Sequence, residues 1–169
     1  MTMGRILLAM DDTRTSEQAA LAARDLLRES PQTKLHVLYV TQLYPTKFGT
    51  APLLGMDYER EVAANIQTSL RERYFGHLMH RVQFDHRTGV VPAKVICQTA
   101  VECQCDLIIV GSRGKRAISR VFSGSVSRDV VMRSNIPVLV VRYTPLQSEA
   151  EKPLHREGNV VKLEKWRRI

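Results

Sequence analysis

No stretch of this chain is apolar for long enough to form a helical membrane span, which needs about 20 predominantly apolar residues. The apolar runs are short, strand-sized blocks such as Leu107-Ile108-Ile109-Val110. The block that ends at Met10 stops at once in Asp11-Asp12, so it does not read as a signal peptide. A cytoplasmic protein is the expectation. Cysteine is scarce: Cys97, Cys103 and Cys105 are all there is. Three cysteines make no disulfide framework. Cys103 and Cys105 lack the further ligands that would complete a metal site and read as small, partly buried side chains. Several nucleotide motifs are missing too. There is no Gly-x-x-x-x-Gly-Lys-Ser/Thr loop, no Gly-x-Gly-x-x-Gly after the first strand-like block, and no His-x-Gly-His.

What is present fits one soluble domain of 169 residues with 44% hydrophobic composition. The net charge of +8 is concentrated. Between Gly111 and Arg133 stand Arg113, Lys115, Arg116, Arg120, Arg128 and Arg133 against the single acid Asp129. Most of the excess thus sits on one loop and the helix after it. Such a cluster suits a small polyanion better than an extended nucleic acid, and nucleic acid is not the expected partner.

The pattern alternates strand and helix. Residues 5–10 read as a buried parallel strand, and residues 13–29 as a helix with Ala20, Ala23 and Leu27 on its apolar stripe. Residues 34–40 read as a second strand. Residues 41–57 carry Pro45, Gly49, Pro52 and Gly55, which predicts a loop or lid-like insertion. Tyr58, Val62, Ile66, Leu70 and Tyr74 recur every four residues on a second helix that stops near Gly76. Val82, Phe84 and His86 alternate as in a third strand. Pro92 suits the first turn of a third helix. Residues 106–110 form the fourth strand, a fourth helix runs to about Ser134, and residues 137–142 form the fifth strand. Five strands joined by helical crossovers imply an α/β fold: an open five-stranded parallel sheet with helices on both faces.

The most informative segment is Gly111-Ser112-Arg113-Gly114, followed after nine residues by Gly124-Ser125. It follows a buried strand and precedes a helix. Glycines let a backbone close around a guest and aim N–H groups at it, and phosphate oxygens are the usual guest. This spacing resembles the nucleotide-binding signature of the universal stress proteins. Ile6-Leu7-Leu8-Ala9-Met10-Asp11 is similar to that family's first strand and its acidic end. Val90-Val91-Pro92-Ala93, the run from Ala100 to Gly111, and Ile136-Pro137-Val138-Leu139-Val140-Val141-Arg142 resemble its later half.

The resemblance implies a Rossmann-like sheet of strand order 3-2-1-4-5, a nucleotide-binding domain over residues 1–143, and a charged extension over 144–169 outside it. Ligands of open α/β sheets bind where the strand order reverses, which brings Asp11 and Gly111 to one crevice. The resemblance assigns Asp11 to ribose, adenine or a metal, although Asp11 also reads as a helix cap. It assigns Val40 to the adenine face, although a plain core valine fits equally. Gly111, Arg113, Gly114, Gly124, Ser125, Val126 and Ser127 are assigned to the phosphates. ATP is the leading ligand, with ADP, AMP or cyclic AMP as alternatives and Mg²⁺ as an accompanying ion. Asp12 stands where the family commonly has glycine, which leaves the phosphate count and metal use open. No histidine has an evident nucleophile partner, and no base for phosphoryl transfer is identified, so at most slow ATP hydrolysis is expected. A regulatory role through an unidentified protein partner and a homodimer paired through the last strand are also implied. A nucleotide-independent interaction protein and a basic nucleic-acid binder remain as alternatives.

Overall fold

The fold is taken from a computed structural model, which describes residues 3–112 and 125–142. Twelve named segments follow one another. They are β1 (Arg5–Ala9), α1 (Arg14–Glu29), β2 (Lys34–Thr46), β3 (Gly49–Pro52), α2 (Met56–Ser69), a π-helical turn (Leu70–Phe75) and a 3-10 turn (Gly76–Arg81), then β4 (Val82–Gly89), α3 (Pro92–Glu102), β5 (Leu107–Ser112), α4 (Ser125–Arg133) and β6 (Val138–Arg142).

The parallel strands lie in the order β4-β2-β1-β5-β6. Counted along the chain, that is the expected 3-2-1-4-5. β1 is the centre because it is apolar on both faces. Ile6, Leu7 and Leu8 are completely buried, as a strand covered by helices on either side must be. Its alternate residues serve different layers. Ile6 and Leu8 join α1 and α2 with Leu27, Val62 and Ile66. Leu7 joins α3 and α4 with Ile96, Ala100 and Val130.

Helix α1 starts at Thr13, whose side chain accepts from the Ser16 N–H. Its stripe of Ala19, Ala20, Ala23 and Leu27 is fully buried. Alanines bring the helix axis close to the sheet. Leu27 contributes about 1.5–3 kcal/mol as a fully buried leucine. At the other end of α1, Arg81 closes the exit. Its guanidinium donates to the carbonyls of Leu27 at 2.8 Å, Ser30 at 2.9 Å and Pro31 at 3.0 Å. A cation on the last carbonyls of a helix is favourable twice, by hydrogen bonding and by the helix dipole.

The expected loop over residues 41–57 is corrected. β2 runs on to Thr46 and turns back into β3, an antiparallel hairpin that pairs Leu43 with Pro52 and Thr46 with Gly49. The six-residue run Val40-Thr41-Gln42-Leu43-Tyr44-Pro45 is rich in strand formers. Pro45 removes one donor from a two-stranded ribbon, where that loss is tolerated. Gly49, at φ 126°, supplies the turn conformation other residues resist. The sheet therefore has six strands, five of them parallel.

Candidate functional site

The order of the sheet reverses between β1 and β5. From β1 the chain moves toward β2 and β4, and from β5 toward β6. At the carboxyl ends of these strands a crevice of about 330 Å³ opens, a volume in the range of small-molecule sites. Asp11, Val40, Gly111, Val126 and Ser127 all line it. These five residues, far apart in the chain, are thereby brought together. Ser125 is the first residue of α4. Arg113, Gly114 and Gly124 lie outside the described residues.

Asp11 does not cap α1; Thr13 does. Asp11 instead ties down the turn that enters the helix. Its Oδ1 accepts from the Thr13 N–H at 3.0 Å, the Thr13 hydroxyl at 2.5 Å and the Ser16 hydroxyl at 2.5 Å. The Asp11 N–H returns a bond to Ser16 Oγ at 3.1 Å. All three side-chain bonds fall on one oxygen. Among the described residues, no group of three or more histidine, cysteine, aspartate or glutamate side chains converges to hold a metal, around Asp11 or elsewhere.

Gly111 belongs to β5. A Cβ at this position would stand 2.9 Å from the Thr15 carbonyl carbon and 3.1 Å from the Ser16 N. The glycine thus lets β5 pass against the first turn of α1. This packing requirement exists whether or not a ligand is bound. Val40 is half-buried and packs with the α3–α4 core cluster while also facing the crevice. Ser127 is 2% exposed and lines the crevice from the first turn of α4.

One wall was not foreseen from the sequence. Tyr44 on β2 and Leu53 and Leu54 after β3 line the crevice, yet they are 42%, 79% and 61% exposed. Beside them stands a directional network. Glu59 Oε2 accepts from Tyr39 Oη at 2.5 Å and from Thr41 Oγ1 at 2.9 Å, and Thr41 Oγ1 lies 2.8 Å from His86 Nε2. With the Thr41 hydroxyl donating to Glu59, the His86 nitrogen is the donor to Thr41. Burial, and then the bond to Glu59, push the Tyr39 phenol well above its ordinary range, so it remains a donor. The signal for this wall in the sequence is the β-forming run after Val40, which Pro45, Gly49, Pro52 and Gly55 mask.

A second cleft of about 260 Å³ shares Met10, Asp11 and Asp12 with the crevice. It adds Glu17 and Glu61. This side is acidic, so an anionic group in the crevice is favoured toward Gly111, Ser127 and the start of α4, away from the carboxylates.

The family model of the universal stress proteins matches residues 3–142. The chain belongs to the universal stress protein family. It is 27% identical over 157 residues to the universal stress protein Sll1388 of Synechocystis, covering 85% of this chain and 100% of that one. Its fold is similar to that of the universal stress protein UspA from Lactobacillus plantarum, with a TM-score of 0.66 and 23% identity over 84% of this chain and 99% of the other. It is also similar to a universal stress protein solved in complex with cAMP, with a TM-score of 0.58 and 21% identity over 84% of this chain and 98% of the other. Among the described residues, no helix is long and apolar enough to cross a membrane.

Proposed function

We propose that this universal stress protein binds an adenine nucleotide, ATP foremost, in the crevice between β1 and β5. The observation that carries the reading is the meeting of Asp11, Val40, Gly111, Val126 and Ser127 around one cavity at the point of strand-order reversal. The relative solved with cAMP supports an adenine nucleotide as the ligand class. In this assignment the base packs on Val40, under the apolar wall of Tyr44, Leu53 and Leu54. Asp11 keeps its Oδ1 for the turn and offers Oδ2 to a ribose hydroxyl. The phosphates lie toward Gly111, Ser125 and Ser127, with Arg113, Gly114 and Gly124 completing the cradle. ADP, AMP and cyclic AMP fit the same base and ribose contacts. No metal is part of the assignment, and no residue is assigned as a base for hydrolysis.

The role is regulatory. A nucleotide that prefers one arrangement of the residues around the crevice shifts the population toward it, and so changes the surface offered to a partner protein. Pairing of β6 with its copy in a homodimer is part of the same reading. Among the described residues β6 is paired on one side only, by β5. The test is the double substitution Gly114→Val and Gly124→Val. The expected result is loss of nucleotide binding with an unchanged unfolding transition. Wild-type affinity in that variant overturns the cradle.

A further inference from the structure

On the sheet face covered by α3, away from the crevice, three groups stand in sequence. The Cys103 Sγ lies 3.7 Å from His36 Nδ1. The other ring nitrogen, His36 Nε2, lies 3.7 Å from Asp85 Oδ2. That order is a thiol, an imidazole and a carboxylate, the arrangement of an activated nucleophile. Cys103 follows the last residue of α3, His36 is on β2 and Asp85 on β4, so three elements are needed to assemble it.

His36 is the unusual member. Its side chain is 5% exposed, and its Nε2 has no hydrogen-bond partner although it is buried. Buried polar atoms are nearly always paired, and an unpaired one calls for an explanation. Asp85 Oδ2, at 3.7 Å, is too far to supply the missing bond, and it is held by Arg87, whose Nε donates to Asp85 Oδ2 at 2.8 Å and whose Nη1 donates to Glu102 Oε2 at 2.6 Å. The carboxylate still faces Nε2 and favours the proton there. That tautomer leaves the Nδ1 lone pair toward the thiol. Arg5 adds a positive charge nearby, donating from Nη1 to the Cys103 carbonyl at 2.5 Å.

The three cysteines differ in their surroundings. Cys105 is buried, and burial pushes its thiol up to about 11. Burial also raises Cys97. Cys103 is partly buried, as Cys97 is, and has the His36 imidazole in reach.

We propose that Cys103 is a thiol–disulfide exchange site for small-molecule disulfides, with His36 accepting the thiol proton. The Cys103 sulfur attacks one sulfur of the disulfide R–S–S–R. The S–H bond of Cys103 and the S–S bond of the reagent break. A new S–S bond forms between Cys103 and one R–S group. The other leaves as thiolate and takes up the proton held at His36 Nδ1, departing as R–SH. One disulfide is consumed and one formed, so no further oxidant is needed.

The test uses the full chain and two probes: a dipyridyl disulfide, read by the absorbance of the released thiol, and oxidised glutathione, read by intact mass and peptide mapping. Each cysteine is compared with itself in denaturant. Burial slows Cys97 and Cys105 in the native protein below their unfolded rates. Cys103 is expected to react faster when folded than when unfolded, and to take the first equivalent of either probe. Cys103→Ser removes the fast phase. His36→Gln slows it by about tenfold or more, the scale of a positioned base, and Asp85→Asn slows it less. A native Cys103 no faster than its unfolded reference overturns the proposal, and that comparison requires no substitution. So does a folded His36→Gln variant with an unchanged rate.

Discussion

Gly111 of β5 runs so close to Thr15 of α1 that a Cβ on the glycine would stand 2.9 Å from the Thr15 carbonyl carbon. These residues belong to the two chain segments that flank the crevice. The close approach lets Gly111 and Ser16 line one cavity together.

Gly111→Ala is therefore expected to destabilise the fold. The obstacle is helix backbone, so α1 or β5 must shift, at a cost of about 1–3 kcal/mol, typical of overpacking. Urea unfolding measures this directly. An unchanged midpoint would show that α1 yields freely.

Asp11 makes a similar prediction through polar contacts. Asp11→Ala strips Thr13 and Ser16 of their shared acceptor. A loss of about 1–3 kcal/mol is expected for charge-assisted, partly buried bonds. Asp11→Asn keeps an acceptor and should cost less. Equal midpoints for the two variants would contradict the assignment of stability to the Oδ1 contacts.

Arg81 separates stability from binding. It closes the exit of α1 on four carbonyls, those of Leu27, Ser30, Pro31 and Thr33, and does not line the crevice. Arg81→Met should cost about 1.5–3 kcal/mol, the scale for hydrogen bonds to a charged group. Nucleotide affinity should be unchanged. Calorimetric unfolding and ligand titration of the same variant check both halves, and a weakened affinity would speak against the separation.

His36 gives the pH dependence. Burial is the main cause that holds its imidazole below the ordinary value of 6.5, outweighing the attraction of Asp85. The unfolded chain then binds a proton more readily than the folded one. Stability from this group is fully present above about pH 6.5 and is lost as pH falls through the folded value. Urea midpoints measured downward from neutral pH should decline in that window, and His36→Gln should flatten the decline. A decline of equal slope in the variant would assign it to other groups.

Much of this was legible in the sequence, for identifiable reasons. β1 was recognisable because it is buried on both faces and so is apolar at every central position. The strand order and the crevice followed from the family resemblance together with the reversal rule. The hairpin was missed because Pro45, Gly49, Pro52 and Gly55 signal loops locally, whereas pairing of Leu43 with Pro52 depends on a partner strand. In the sequence alone Asp11 fits both a cap and a ligand contact. The choice of Thr13 as cap turns on backbone angles that composition does not reveal. The packing role of Gly111 depends on Thr15, far earlier in the chain. The contact between Cys103 and His36 spans 67 positions, and no local pattern announces it.

The central claim is that the crevice holds an adenine nucleotide. The most direct measurement is to denature freshly purified protein, identify any released small molecule by chromatography and absorbance, and titrate the emptied, refolded protein with ATP, ADP, AMP and cyclic AMP. The account predicts a bound adenine nucleotide at up to one per chain, or saturable binding of added ATP that the Gly114→Val, Gly124→Val variant loses. Protein that carries no nucleotide and binds none of the four would contradict it.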